Sequence, residues 1–348
     1  MNTREALRVS GIFSIILMIL LAAFPFRPAS AQTTGFLSVK GTSIVDSSGH
    51  PVILRGVNYP GYERLPPTLH SEYAYETIAK DGFNVVRLPI SWSNLEPSPG
   101  VFNLVYFYEF VNEDVQWAKQ NGLYIILDMH QYFWAERFGG TGLPNWAVQQ
   151  YPETVAGRKA AISNFWVNNT LQEHLAEVWL TIAKIYANEP TIAGYDILNE
   201  PTFYIYNDQG ATPSSITQFY AKLLRTVRPV DPRHIIFLEQ ANVNLPSVPF
   251  SNIVWSTHFY TLATPPKYYH ANVTLLASAL AAEYQTFVIR MQTPMWIGEF
   301  GAFMDNASQS MWLQDATTLF SQYQVGWAFW PATYTASIPI PSVLLQSA

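Results

Sequence analysis

Eight short apolar runs, all but the last closed by a polar residue or a proline, recur between residues 52 and 329, and helical patterns separate most of them. The runs fall at residues 52–57, 84–88, 123–129, 192–198, 234–238, 252–257, 294–298 and 325–329. Runs of this length without strict alternation are the pattern of strands buried on both faces, as in parallel sheets. Helical periodicity fits residues 71–80, 106–120, 171–187, 213–227, 273–291 and 308–323. Asp81-Gly82 and Asn121-Gly122 act as stops and Pro213 lies in a first turn. Successive parallel strands need right-handed crossovers, and eight such units close on themselves, so the expected fold is an α/β (β/α)8 barrel. With 49% hydrophobic and 13% charged residues, the chain can fill the core of one such domain over residues 32–348.

Three segments depart from the repeat. Residues 36–54 predict a β-hairpin at the bottom of the barrel, with Asp46-Ser47-Ser48-Gly49 as its turn. Residues 131–169 hold Gly139-Gly140, Gly142, Pro144 and Pro152, and predict an extended loop with one helical piece; Trp134, Trp146 and Trp166 argue against disorder. Residues 240–250 are too short and proline-rich for a crossover helix, and after Trp330 only 18 residues remain, including Pro339 and Pro341, so an eighth helix is doubtful.

The N-terminus reads as a secretory signal. Arg4 and Arg8 precede an apolar stretch from Ile12 to Phe24, and Ala29-Ser30-Ala31 offers a cleavage site. The apolar run is shorter than the roughly 20 residues that span a bilayer, and Pro25 closes it. Removal of residues 1–31 takes away three arginines and one glutamate, so the formal net charge goes from −6 to −8. An acidic export product without lasting membrane insertion is a poor partner for nucleic acid or anionic lipid, and a monomer is expected. The chain has no cysteine, which excludes disulfides, thiolate metal sites and a cysteine nucleophile. N-glycosylation triplets occur at Asn168, Asn272 and Asn306.

Two of the runs deliver a glutamate at their ends: Ile192 onward leads to Asn199-Glu200-Pro201, and Met295-Trp296-Ile297-Gly298 leads to Glu299-Phe300-Gly301. In a barrel, the strand ends converge on one face, which would gather Asn58, Arg87, His130, Asn199, Glu200, His258, Tyr260, Glu299 and Trp330. Two facing carboxyl groups are what glycoside hydrolysis requires, one giving a proton and one attacking or activating water. Singly, a histidine here would be a structural hydrogen-bonding group and Arg87 a salt-bridge partner; it is their joint placement that points to a site. Metal ligation finds no HExxH spacing, and neither a GxSxG elbow nor a GxxxxGK loop is present, so no metal and no cofactor is expected.

These motifs resemble glycoside hydrolase family 5, over nearly the whole mature chain. Asn199-Glu200-Pro201 is similar to that family's acid/base motif, and Trp296-Ile297-Gly298-Glu299-Phe300-Gly301 to its nucleophile motif. The resemblance implies a retaining β-glycosidase with Glu200 as acid/base and Glu299 as nucleophile. It further implies that Asn199 holds the sugar 2-hydroxyl, Arg87 and Tyr260 orient Glu299, and Trp330 floors the sugar site, with His130, His258, Asn58, Trp134 and Trp146 supporting. Arg87 beside Glu299 would keep it an anion, and that charge would raise the pKa of Glu200. The expected substrate is a β-glucoside such as a β-glucan. The segments Asp128-Met129-His130-Gln131, Gly142-Leu143-Pro144-Asn145-Trp146-Ala147 and Asn164-Phe165-Trp166 resemble the endoglycoceramidase branch, which makes a glycolipid the alternative. A transglycosidase uses the same residues, and a non-catalytic carbohydrate-binding barrel would have lost a carboxylate that is present here.

Overall fold

The computed structural model describes residues 35–201, 211–239, 251–263, 269, 273–302 and 306–330. The segment expected to be an export signal, residues 240–250 and the chain after Trp330 lie outside these. Eight parallel strands close into a barrel: β3 (Arg55–Asn58), β4 (Val85–Ile90), β5 (Tyr124–Met129), β6 (Ile192–Asp196), β7 (Ile235–Glu239), β8 (Ile253–Phe259), β9 (Met295–Phe300) and β10 (Gly326–Phe329), the last pairing with β3. The fold expected from the sequence is the one observed. Each strand is buried along almost its whole length, because the barrel interior covers one face and the helices cover the other.

The N-terminal hairpin pairs β1 (Ser38–Lys40) with β2 (Ser43–Val45). Its turn is Gly41-Thr42, with Gly41 at φ +60°, rather than the expected Asp46–Gly49, which forms a second turn after β2. Sequence chemistry marked only the second turn; the pairing of Lys40 with Ser43 places the hairpin's own turn at Gly41-Thr42. Leu37 and Ile44 reach into a cluster with Leu54, Val85, Ile126 and Trp296, so the hairpin plugs the barrel at the end opposite the strand C-termini.

Around the barrel run α1 (Glu72–Lys80), the short turns α2 (Trp92–Leu95) and α3 (Leu104–Tyr106), α4 (Asn112–Gln120), α5 (Asn145–Val148), α6 (Val155–Val167), α7 (Asn169–Tyr186), α8 (Pro213–Val227), α9 (Val273–Tyr284) and α10 (Asn306–Gln322). The periodic segment expected over 106–120 begins with a π-helical turn, Phe107–Val111, and the one over 273–291 ends in another, Gln285–Arg290. α8 starts where the sequence places it, at Pro213, with Thr212 and Ser215 forming a reciprocal capping box.

The stretch 131–169 holds more helix than expected. α6 is the addition, capped by the Thr154 side chain, which accepts the Gly157 N–H. Its sequence carries no clear apolar stripe because the helix buries small and large groups together: Gly157, Ala161, Ile162, Phe165 and Trp166. Asn168, one of the three glycosylation triplets, caps α7 by accepting the Leu171 N–H at 3.1 Å. Asn272 and the Asn306 side chain lie outside the described residues. No helix among the described residues is long and apolar enough to cross a membrane.

Candidate active site

Arg87, near the end of β4, is fully buried and surrounded by carboxylates from four other strands. Its Nε donates to Asp196 Oδ2 at 3.0 Å, Nη1 donates to Glu299 Oε1 at 2.8 Å, and Nη2 donates to Glu239 Oε1 at 2.8 Å and lies 3.0 Å from Asp128 Oδ1. Nη1 and Nη2 also donate to the side-chain oxygens of Asn58 and Asn199, at 3.0 and 2.9 Å. A guanidinium is the one side chain that can fan five donors across this many acceptors in a plane. Burial alone would lower its proton affinity, but the surrounding anions raise it well above the ordinary value. They in turn feel the burial: Asp128 and, more strongly, Asp196 are pushed up by loss of solvent despite the arginine.

Asn58 joins the barrel seam to this cluster, donating from Nδ2 to the Gly298 carbonyl at 2.9 Å. Asn199 Nδ2 donates to the Gln131 carbonyl, and Gln131 Nε2 donates in return to the carbonyls of Asn199 and Glu200, all at 3.0 Å. Asn199 is thereby held from both sides. His130 donates or accepts at Nδ1 with Asp128 Oδ2, 2.8 Å away, and its ring stacks parallel to Trp330 at 5.2 Å. That pair sets the plane of the tryptophan at the mouth of the site.

The two glutamates expected from sequence meet here. One carboxylate oxygen of Glu200 and one of Glu299 lie within 4.8 Å of each other and of a His258 ring nitrogen. His258 Nδ1 is 2.8 Å from Glu200 Oε1 and 3.5 Å from Glu299 Oε2. Tyr260 donates its hydroxyl to Glu299 Oε2 at 3.0 Å, while Arg87 takes the other oxygen. Burial works to raise Glu299, but the positive charges of His258, Arg87 and His130 and the Tyr260 hydrogen bond overcome it and hold Glu299 below the usual carboxylate range. Glu200 goes the other way: burial raises it, and the anions of Glu299 and Glu239 add to the rise against the His258 contact. An acid and an anion face one another.

Two trios of donors could in principle hold a cation: Asp128 with Asp196 and Glu239, and Glu200 with His258 and Glu299. The first is filled by the Arg87 guanidinium, which already neutralises it. In the second, burial lowers His258 but Glu239 and Glu299 raise it well above its ordinary value, so the ring holds its protons more tightly than a free imidazole and is a poor ligand for a cation.

Nine of the eleven residues expected at the site converge on it. The other two do not. Trp134 is fully buried, packed against Phe165 and Trp166, and cannot stack on a ligand. Its contribution is indirect, because its backbone N–H donates to Gln131 Oε1 at 3.0 Å and so fixes the amide that holds Asn199 and Glu200. Trp146 packs edge-on against Trp92 and donates from Nε1 to the Glu96 carbonyl at 2.9 Å, an anchor for α5 rather than a sugar platform. A tryptophan in a glycine-rich loop reads the same whether it faces solvent or the core. Sequence reasoning also missed Glu239, Asp128, Asp196 and Gln131 as members of the site. The signal for Glu239 was present: an apolar run that ends in a carboxylate, one residue beyond the expected strand 234–238.

A family model described as Cellulase (glycosyl hydrolase family 5) matches residues 45–335. An endoglycoceramidase of Cyanea nozakii is 26% identical over 278 residues, covering 62% of this chain and 55% of its own length. An endoglucanase of Paenibacillus polymyxa is 27% identical over 194 residues, covering 51% of this chain and 43% of its own. The chain thus spans about half the length of these curated relatives. A crystal structure of an endogalactoceramidase superposes with a TM-score of 0.72 at 26% identity, covering 86% of this chain and 75% of that one. Barrel, paired glutamates and a family match running from the end of β2 past β10 agree, and the chain belongs to glycosyl hydrolase family 5.

Proposed function

We propose that this glycoside hydrolase cleaves β-glucosides with retention of configuration, by double displacement through a glycosyl-enzyme ester on Glu299. The observation that carries the reading is the separation of the two carboxyl groups, whose nearest oxygens lie within 4.8 Å. Retaining enzymes hold the pair about 5–5.5 Å apart, whereas inverting enzymes leave roughly 6.5–9.5 Å for a water. In the first step Glu200 gives its proton to the glycosidic oxygen as Glu299 attacks the anomeric carbon. In the second, Glu200 takes a proton from water, which attacks the ester and releases Glu299. Arg87 and Tyr260, on opposite oxygens of Glu299, aim the nucleophile and stabilise the carboxylate as it leaves. Proton NMR of the first-formed sugar tests the reading: the β-anomer is expected, and an initial α-anomer would refute it.

Glycolipid cleavage is a second reading, supported by exposed apolar side chains on the catalytic face. Leu65 and Leu69, in the loop after β3, and Tyr132, just beyond β5, are exposed where loops from strand C-termini gather. Such a rim suits an aglycone with a lipid character, in keeping with the endoglycoceramidase relative. Assay of a soluble β-1,4-glucan beside a lactosylated ceramide in detergent separates the two, and added acceptor sugar distinguishes hydrolysis from transglycosylation. The signal pattern in residues 1–31 supports action outside the cell, checked by the mass of the exported protein.

A further inference from the structure

We propose that Glu239 is a positioning residue for the acid/base glutamate: one of its oxygens grips the Glu200 amide, and the other keeps a proton on His258 Nε2 so that Nδ1 addresses the Glu200 carboxyl. The inference rests on the role of Glu200 given above. Glu239 ends β7, is buried, and its carboxylate meets donors at both oxygens. Oε2 accepts the Glu200 N–H at 2.6 Å. Oε1 accepts from Arg87 Nη2 at 2.8 Å and lies 3.2 Å from His258 Nε2.

The first contact matters because Glu200 has φ +41°, in the left-handed region that costs a side-chain-bearing residue energy and persists only where its surroundings hold it. Those surroundings are two side chains: Glu239 holds the Glu200 N–H and Gln131 holds the Glu200 carbonyl. With the backbone held so beyond the end of β6, the Glu200 carboxyl lies 2.8 Å from His258 Nδ1.

The second contact is an ion-pair approach rather than an aligned hydrogen bond, yet it fixes the tautomer. An unprotonated Nε2 would set its lone pair against a carboxylate oxygen. With the proton on Nε2, Nδ1 can face either form of Glu200, accepting from the acid or donating to the carboxylate, which is what a group that alternates between acid and base requires. Of the other charged or titratable groups around His258, Glu200 and Glu299 lie on its Nδ1 side and Tyr260 against its ring, while Asp196 and Glu283 also feel its charge. Glu239 alone among the described residues makes an ion-pair contact with Nε2. Burial opposes protonation of this histidine, and Glu239 heads the charges that overcome it.

Glu239→Gln is the informative change. It is nearly isosteric, but an amide has one acceptor and one donor end, so either orientation sets an NH2 against a donor: Arg87 and His258 in one, the Glu200 amide in the other. The variant is compared with the wild-type protein on aryl β-cellobiosides with dinitrophenyl and with poor, non-activated leaving groups, alongside thermal unfolding. Because Glu239 acts through the proton donor, kcat/KM should fall about tenfold or more further on the poor leaving group than on the dinitrophenyl glycoside. Equal loss on both would overturn the positioning role. Should the variant not fold, nitrogen-15 NMR of the wild-type histidines decides: a protonated Nε2 on His258 at neutral pH is expected, and a bare one would overturn the proposal. Absence of wild-type turnover on every glycoside would instead overturn the glycosidase reading, and the histidine spectrum would still report on Glu239.

Discussion

Replacing Glu283 by glutamine should make the protein more stable at pH 8 and leave it little changed at pH 5. Glu283 belongs to α9, and its Oε2 is shut away from solvent with no hydrogen-bond partner among the described residues. Burial pushes its carboxyl up to about 7, against the smaller opposing effects of Thr257 and His258. In the unfolded chain the same group ionises near its ordinary value of 4.5. Below that value both states hold the proton, and the native state carries no penalty. As pH rises from about 4.5 to about 7 the unfolded state releases its proton first, so stability falls across that window and is lowest above it. At about 1.4 kcal/mol for each tenfold change in proton affinity, the difference amounts to on the order of 3 kcal/mol, and partial exposure of the side chain brings it nearer to about 2 kcal/mol. Glutamine removes the titration. Urea denaturation midpoints at pH 5 and pH 8 should show the variant gaining about 2 kcal/mol on the wild type between the two. A stability difference that does not change with pH would refute the assignment of a buried, neutral Glu283.

Glu299→Gln should abolish turnover while leaving the melting temperature close to wild type; turnover above a few per cent would remove Glu299 as nucleophile. Glu200→Ala should retain first-step reaction on dinitrophenyl glycosides and lose it on poor leaving groups, read as a burst followed by slow release. With Glu299 held below and Glu200 held above the usual carboxylate range, kcat/KM should be bell-shaped in pH, falling on the acid side as Glu299 protonates and on the alkaline side as Glu200 loses its proton. A flat profile across that range would count against the assignment. Trp134→Ala should cost about 3–5 kcal/mol of stability, as large-to-small changes in a packed core do, with calorimetry as the check.

The barrel was legible because its strands are buried on both faces and their polar terminators recur at the same structural position. Glu200 and Glu299 could be picked out for the same reason: each follows an apolar run, and the pair implies a chemistry. Asp128 and Asp196 were harder to assign, since each sits within or just after an apolar run and serves an arginine that is distant in sequence. What places them around Arg87 is barrel closure, and no local periodicity encodes which strand lies opposite which. Trp134 was misread for a related cause: composition gives the size of a ring and says nothing of which surface it faces. α6 escaped because a helix buried on several sides lacks the stripe by which amphipathic helices are recognised.

The hairpin plug has a kinetic consequence. Leu37 and Ile44 close one end of the barrel, and Phe237 meets Trp296 edge-on at 5.3 Å across its interior, so there is no passage through the middle. Under the proposed double displacement, the aglycone released in the first step would depart through the same opening by which water or an acceptor arrives for the second. The barrel is a cul-de-sac, in which, on the proposed mechanism, how fast a leaving group clears the mouth would help decide what next reaches the ester.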